Sequence, residues 1–437
     1  MSEGIQTLDN LFAFFRHHGV ERVYVKSLAP NDNSKNQIYF GPGFDAISLF
    51  PFSEIQASAD TRYATFSASL NFHWIGDDLS LVRAPTSKLV LYPQYPEVRF
   101  SGFLLGTDRS KLKSIRELAT NRIQGRLLFL GINETSQIIG ALFAPTSAVS
   151  TDSNHRWSEL AEPRTVFKEI TLLGTDSKIL LLQELRRICQ KEWINSYRLD
   201  AYGNQRECNA SQCGGYTLEA ELGIRPNGRS EPDFMGWEVK QHGGSVLTLL
   251  TPEPTGGFYK DSGVEAFIRK FGYPDRSGRA DRINFGGIYR FGLAQKLTGL
   301  TLTLEGFDSE NGKITDVDGG ISLLTSDGIV AAKWDFSGML KHWSRKHRNA
   351  VYVRSKSRNA PAKQYSFLKD VKLAEGTSPL HLLKAISAGK VYYDPGIKLE
   401  NASSTNGTTK RRSQFRVTAK NLSDLYDSVT SIDVTKT

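Results

Sequence analysis

The stretch Pro232-Asp-Phe-Met-Gly-Trp-Glu-Val-Lys240 constrains this chain more than any other. Glu238 and Lys240 stand two residues apart, and in a strand that spacing puts both side chains on one face. Asp233 precedes them across a glycine-containing bend, so two carboxylates and an ammonium converge. Phosphodiester hydrolysis needs such a set: oxygen ligands for a hard divalent cation, a charged group to orient and polarise the attacking water, and positive charge for the transition state. Upstream, the segment from Gly215 to Glu221 reads as a short helix that leads through Arg225-Pro-Asn-Gly228 to a hairpin. Glu219 and Glu221 lie about 200° apart on a helix, so at most one can face the hairpin carboxylates. The gap to Asp233 favours Glu219. The bare spacing of Asp, Glu and Lys is a weak signal, strengthened here by Phe234, Trp237 and Val239, which can pack the hairpin.

At 437 residues with 39% hydrophobic content, the chain is long enough for two domains with real cores. Three cysteines cannot make a disulfide framework, and no run of about 18 apolar residues suggests a membrane span. The Met-Ser-Glu-Gly start lacks a signal-peptide core, so a soluble, cytoplasmic prokaryotic protein is expected. Cys208 and Cys213, with Cys189 upstream, raise the question of zinc; without a fourth cysteine or a nearby histidine, free thiols are expected.

Net charge is +9, unevenly spread. Residues 331–420 carry 19 Lys+Arg against 5 Asp+Glu, a block of +14, whereas residues 1–165 are neutral and 166–330 carry −3. Interleaved aromatics suggest a folded phosphate-binding face, with a plain solvated surface as the alternative. Within the block, the run from Lys341 to Arg348 precedes a strand at Val351–Val353, and Arg345 and Arg348 are candidate phosphate contacts. In Lys410–Arg416 the residues Arg412, Gln414 and Arg416 alternate, with Arg411 beside them. Arg to guanine and Gln to adenine are the usual major-groove pairings, which suits a G/C-rich site. His242, just past the Lys240 strand, is either a phosphate or base contact or a turn histidine. Residues 260–290, with Lys260, Arg269, Lys270, Arg276, Arg279, Arg282 and Arg290, are expected to form DNA-facing loops.

From the N-terminus, apolar spacing predicts a helix over 8–18, capped near Gly19, and then a strand over 22–28. Asn31 and Asp32 belong to a turn, and many short strands follow, up to Gly125–Ile132. This pattern suggests a small, mainly-β barrel. The polar stretch from Thr151 to Arg164 reads as linker, and a helix is expected from Ser177 to Tyr197, capped by Asp176, with Ile179, Leu182, Leu185 and Ile188 facing inward.

The segment Val23-Tyr-Val-Lys-Ser-Leu28, with Asn31-Asp32, Gln37, Tyr39 and Leu49-Phe-Pro51, resembles the N-terminal effector-binding domain of EcoRII-type restriction endonucleases. The resemblance implies a pseudobarrel DNA-binding fold that holds duplex in a cleft between two arms. Lys26, Asn31, Asp32, Lys35 and Gln37 would lie on or beside one arm and Arg99 near the other.

Gly215–Lys240, together with Gly389–Pro395 and Lys410–Arg416, resembles the MvaI/BcnI family of restriction endonucleases, which share the PD-(D/E)xK nuclease fold with the mismatch-repair nicking enzyme MutH. The resemblance implies an α/β catalytic domain in which Asp233, Glu238 and the Val239 carbonyl coordinate Mg²⁺. It also implies that Lys240 orients or activates the water and that Glu219 supports the metal site. The expected organisation is therefore an effector domain over 1–165, a linker over 166–175 and a catalytic domain over 176–437. Together the two resemblances imply a monomeric Type IIE enzyme that cuts double-stranded DNA at CCWGG, where W is A or T, and takes a second copy of the site as effector. The alternatives are a MutH-like nicking endonuclease and a non-catalytic DNA-binding protein.

Overall fold

The structure is a computed structural model that describes all residues except 1–4, 31–36, 60–62, 161, 165, 173–176, 211, 226–231, 405–406 and 437; the side chains of 158–160, 162–164 and 345 also lie outside the description. Asn31, Asp32 and Lys35 thus fall outside the described residues, as does Asp176. Two compact units divide the chain, Met1–Asp176 and Ser177–Thr437.

The first unit opens with the helix Leu8–His17, where the Thr7 hydroxyl accepts the Asn10 N–H and Leu8, Leu11, Phe12 and Phe15 form the buried stripe. Gly19 takes the left-handed conformation that turns the chain into the strand Val20–Leu28. That strand is central in a seven-stranded sheet ordered Glu162–Arg164, Phe167–Thr171, Val20–Leu28, Arg126–Asn133, Ile138–Phe143, Phe72–Ile75 and Leu81–Arg83. Its middle, Val23-Tyr24-Val25, is apolar and buried on both sides because both faces are covered there. Val23 and Val25 share a core with the first helix, while Tyr24 packs its ring on Phe50 and Phe167. Phe40 and Phe100 extend the aromatic cluster. They belong to a five-stranded sheet ordered Ile38–Pro42, Glu97–Ser101, Lys88–Tyr92, Thr65–Ser69 and Ile55–Ser58.

The expected linker is not one. Ala148–Leu160 is helical, and its Ser150 and Ser153 are fully buried because their hydroxyls find partners locally, at Ser147 Oγ and the Val149 carbonyl. Polar composition there disguised a packed helix. Phe167–Thr171, inside the expected 166–175 linker, pairs antiparallel with Arg22–Val25, so the first unit continues past 165.

In the second unit the helix Ser177–Gln190 lays Leu181, Leu182, Leu185 and Ile188 on a core that includes Phe367, Val371 and Leu373. It stops well short of Tyr197, at Lys191 and the left-handed Glu192, and Ile179 lies outside the stripe at 50% exposure. The central sheet runs Ile194–Asn195, Gln364–Glu375, Asn349–Arg358 and Glu238–His242, with Ser428–Asp433 also paired to Gln364–Glu375. A three-stranded sheet orders Val246–Leu250, Phe415–Thr418 and Val391–Tyr393. The helix Phe336–Lys346 starts at Asp335, whose carboxylate accepts the Gly338 N–H, and buries Phe336, Met339, Leu340 and Trp343.

Cys208 and Cys213 form a disulfide, with Cα atoms 5.8 Å apart, and Cys189 is the free cysteine. The expectation of free thiols at 208 and 213 fails because the pairing depends on folding: Cys208 N–H is held by the Ser196 carbonyl, opposite the first turn of the helix that starts at Cys213. No helix among the described residues is long and apolar enough to cross a membrane.

Candidate active site

The helix Cys213–Glu221 packs against the strand Glu238–His242 and presents its two glutamates in different directions. Glu221 is taken by the Tyr197 hydroxyl at 3.0 Å, Lys191 at 2.7 Å and Arg187 at 3.5 Å. Glu219 instead feels the charges of Asp233, Lys240 and Glu238, as helical geometry predicts.

Asp233 opens a tight turn closed by reciprocal backbone bonds between Phe234 and Trp237, with Met235 and Gly236 at positive φ. Its Oδ2 accepts the Val239 N–H at 3.0 Å, which fixes the carboxylate beside the strand. Trp237, 2% exposed, anchors the turn in the core. Among the described residues the motif strand is preceded by antiparallel pairing limited to the Phe234–Trp237 bridge. It is an edge strand, parallel to Asn349–Arg358, with Glu238 opposite Ala350 and Lys240 opposite Tyr352. Sequence spacing gave the shared face of Glu238 and Lys240 but not a strand partner so far along the chain.

Glu238 is 1% exposed. Its Oε1 accepts from Lys240 Nζ at 2.5 Å and has Lys346 Nζ at 3.8 Å, while its Oε2 is buried with no hydrogen-bond partner among the described residues. Burial raises the Glu238 pKa, Lys240 opposes that rise, and Asp233 adds to it. For Lys240, burial alone would lower the pKa, but the ion pair with Glu238 wins and raises it. The Glu219 carboxyl is pushed up to about 7, first by burial and next by the negative charge of Asp233, against the pull of Lys240. A buried carboxylate oxygen without a donor is expensive unless a cation takes it. Among the described residues no three His, Cys, Asp or Glu side chains close into a ready-made metal cage. The donor set nevertheless fits Mg²⁺, which commonly uses one or two carboxylates and keeps several waters.

The family model for MvaI/BcnI restriction endonucleases matches residues 182–426, more than half of the chain and all four motif residues. The chain belongs to the MvaI/BcnI restriction endonuclease family. Two solved structures are similar over 59% of this chain and 98% of theirs, each at 16% identity: the restriction endonuclease MvaI in complex with cognate DNA substrate, at a TM-score of 0.45, and MvaI in the absence of DNA, at 0.34. No curated protein matches.

Within the family domain, the expected DNA-contact residues fare unequally. Arg412, Gln414 and Arg416 do share a register: Arg416 pairs with Tyr392, and the Gln414 and Arg412 carbonyls accept from Asp394 and Gly396. The strand proper begins only at Phe415, so Arg412 and Gln414 precede it. The Arg416 guanidinium is bound to Asp394 at 2.5 Å. Arg412 lies so close over Gly396 that a β-carbon there would collide with its guanidinium. Arg411 is exposed. Arg348 is buried at 8% exposure, against the expectation of an open phosphate contact, because it sits where the chain enters the central strand Asn349–Arg358. The side chain of Arg345 lies outside the described residues. His242 ends the strand Glu238–His242, with its Nδ1 2.7 Å from the Gly244 carbonyl; burial lowers its pKa. The expected loops at 260–290 are largely ordered elements. Phe258–Phe271 is helical with a break at Gly263, and on its second part Arg269 pairs with Glu265, while Arg282 is tied to Glu400 and Asp275.

In the first unit, Lys26, Gln37 and Arg99 line one cleft of about 240 Å³ with Tyr39 and Arg126. Arg99 pairs with Glu97 at 2.6 Å and donates to Gln37 Oε1 at 3.3 Å. Burial lowers the Lys26 pKa. Arg126, which the sequence did not single out, donates to the carbonyls of Ile123, Leu118 and Ala29. Lys346 and Asp394 were also missed as partners of site residues, since both contacts join elements that only the tertiary fold brings together.

Proposed function

We propose that this chain is a Mg²⁺-dependent Type II restriction endonuclease of Type IIE behaviour. On this reading its second unit hydrolyses phosphodiester bonds in double-stranded DNA at CCWGG, and its first unit binds a second copy of the site as effector. The observation that carries the reading is the orphaned, buried Glu238 Oε2 beside Asp233 and Lys240, in a chain of restriction-endonuclease family. Asp233, Glu238 and the Val239 carbonyl would hold Mg²⁺. Bound there, the cation supplies Lewis-acid charge to the phosphoryl oxygens. Lys240, held by Glu238, orients the attacking water and offsets negative charge as it develops. Glu219, with its carboxyl near neutrality at about 7, is able to hold or release a proton at its Oε atoms at working pH.

The Lys26, Gln37 and Arg99 cleft supports the effector role, because a locally basic cleft attracts duplex even on a neutral domain. The organisation is that of an EcoRII-like pseudobarrel fused to an MvaI-like catalytic domain, similar to UbaLAI, acting as a monomer. Supercoiled plasmids with zero, one or two CCWGG sites, in Mg²⁺ or EDTA, test it. Faster cutting with two sites supports the effector reading; persistent nicking supports a MutH-like enzyme, and no cutting a binding protein.

Arg416→Ala tests sequence choice. Its partner Asp394 can hold the guanidinium in place for a base edge, so the variant is expected to lose about 1–3 kcal/mol of discrimination between CCWGG and near-cognate duplexes. Unchanged relative cleavage of the two would assign Arg416 to structure alone.

A further inference from the structure

We propose that Lys346 is a further substrate-contacting residue of the nuclease centre, whose ammonium takes a non-bridging phosphate oxygen of the cleaved strand. The inference rests on the nuclease reading above. Lys240 and Lys346 approach the same Glu238 oxygen, but unequally. Lys240 Nζ hydrogen-bonds Oε1 at 2.5 Å, whereas Lys346 Nζ stands 3.8 Å away, beyond hydrogen-bond range. The second ammonium is therefore drawn to the centre by charge without spending a donor on Glu238. It keeps donors for a ligand. Its side chain is 35% exposed, more than the 26% of Lys240, while Glu238 is sealed at 1%. An anion that approaches the carboxylates from solvent can thus reach Lys346.

The position is held firmly. Lys346 ends the helix Phe336–Lys346, where a cation also suits the helix dipole. The next residue, His347, stacks on Trp343 at 4.2 Å. Its Nδ1 lies 2.9 Å from the Tyr426 hydroxyl and its Nε2 lies 3.0 Å from the Leu249 carbonyl. Tyr426 is joined in turn to Tyr352, the register partner of Lys240. A buried network thereby fixes the helix end and the lysine strand as one frame. Of the basic run 341–348, Lys346 is the residue with a described contact to a motif carboxylate.

Lys346→Met keeps the aliphatic stem and removes the charge, and Lys346→Arg keeps the charge. Affinity for a short duplex with one CCWGG site is measured in EDTA across a salt series, and single-turnover cleavage in Mg²⁺. Loss of one phosphate contact lowers the salt slope by about 0.9. The expected result for Lys346→Met is that decrease and a cleavage rate lower on the order of tenfold, both largely restored in Lys346→Arg. A wild-type slope in Lys346→Met overturns the proposal, even with slower cleavage, since Lys346 would then act only through Glu238. Duplexes with one neutral methylphosphonate linkage locate the contact: at one linkage near the cut the wild type should lose slope where Lys346→Met loses none, and the absence of any such linkage overturns the contact. If wild-type protein binds but never cuts, the nuclease reading fails, and the slopes still decide whether Lys346 touches phosphate.

Discussion

Alanine at Asp233, Glu238 or Lys240 is expected to lower strand cleavage by roughly 10³-fold or more while duplex binding remains measurable. Each substitution removes a different part. Lys240→Ala takes away the ammonium that pairs with Glu238 Oε1, leaving a buried carboxylate with Lys346 at 3.8 Å as its remaining cation among the described residues. Glu238→Ala removes the orphaned Oε2 together with the anchor of both lysines. Asp233→Ala loses a carboxylate and also the acceptor of the Val239 N–H, so the turn itself can loosen. Asp233→Asn separates these effects: its amide oxygen still accepts from Val239, but the negative charge is gone. Cleavage that falls equally in Asn and Ala variants assigns Asp233 to charge, whereas rescue by Asn assigns it to the turn. Gel-shift affinity and plasmid cleavage are the two measurements. Cleavage retained by all three alanine variants would falsify the catalytic assignment.

The part of this centre legible in the sequence is the part governed by short-range geometry. Two-residue alternation put Glu238 and Lys240 on one face; the helical angle between Glu219 and Glu221 let at most one of them face the site, and the gap to Asp233 favoured Glu219, whose carboxyl feels the motif charges while Glu221 is paired elsewhere. The first helix and strand were legible for the same reason, as was the family itself. The parallel neighbour of the motif strand was not, because parallel pairing joins segments distant in sequence.

Composition misled wherever polar groups were satisfied internally. Ser150 and Ser153 made a packed helix look like linker, and the charge of Arg348 made a buried residue look like a surface contact. Arg416 illustrates the intermediate case: its register was readable, but its Asp394 partner appears only when Val391–Tyr393 pairs with Phe415–Thr418. Charge in the sequence marks candidates; the fold decides which charges are already spent.

Glu219 gives the strongest expected pH effect on stability. Its carboxyl titrates near 7 in the folded chain against 4.5 for an ordinary glutamate, mainly because burial disfavours its charged form. Between those two values the native state keeps a proton that the unfolded chain has released. The native state thus binds more protons, and stability falls as pH rises through this window. Below it the penalty is absent; above it the penalty is complete, at roughly 2–3 kcal/mol after allowance for partial exposure. Glu219→Gln has no such proton to lose. In EDTA it should match the wild type in urea unfolding at about pH 4, below the window, and exceed it by roughly 2–3 kcal/mol at about pH 8.5. Mg²⁺ should narrow that gap, since positive charge beside Asp233 and Glu238 favours the ionised Glu219. The same variant is expected to cleave poorly, a gain in stability at the expense of a strained charge cluster. A stability difference that does not change with pH would show that Glu219 titrates normally and that its burial is relieved by solvent.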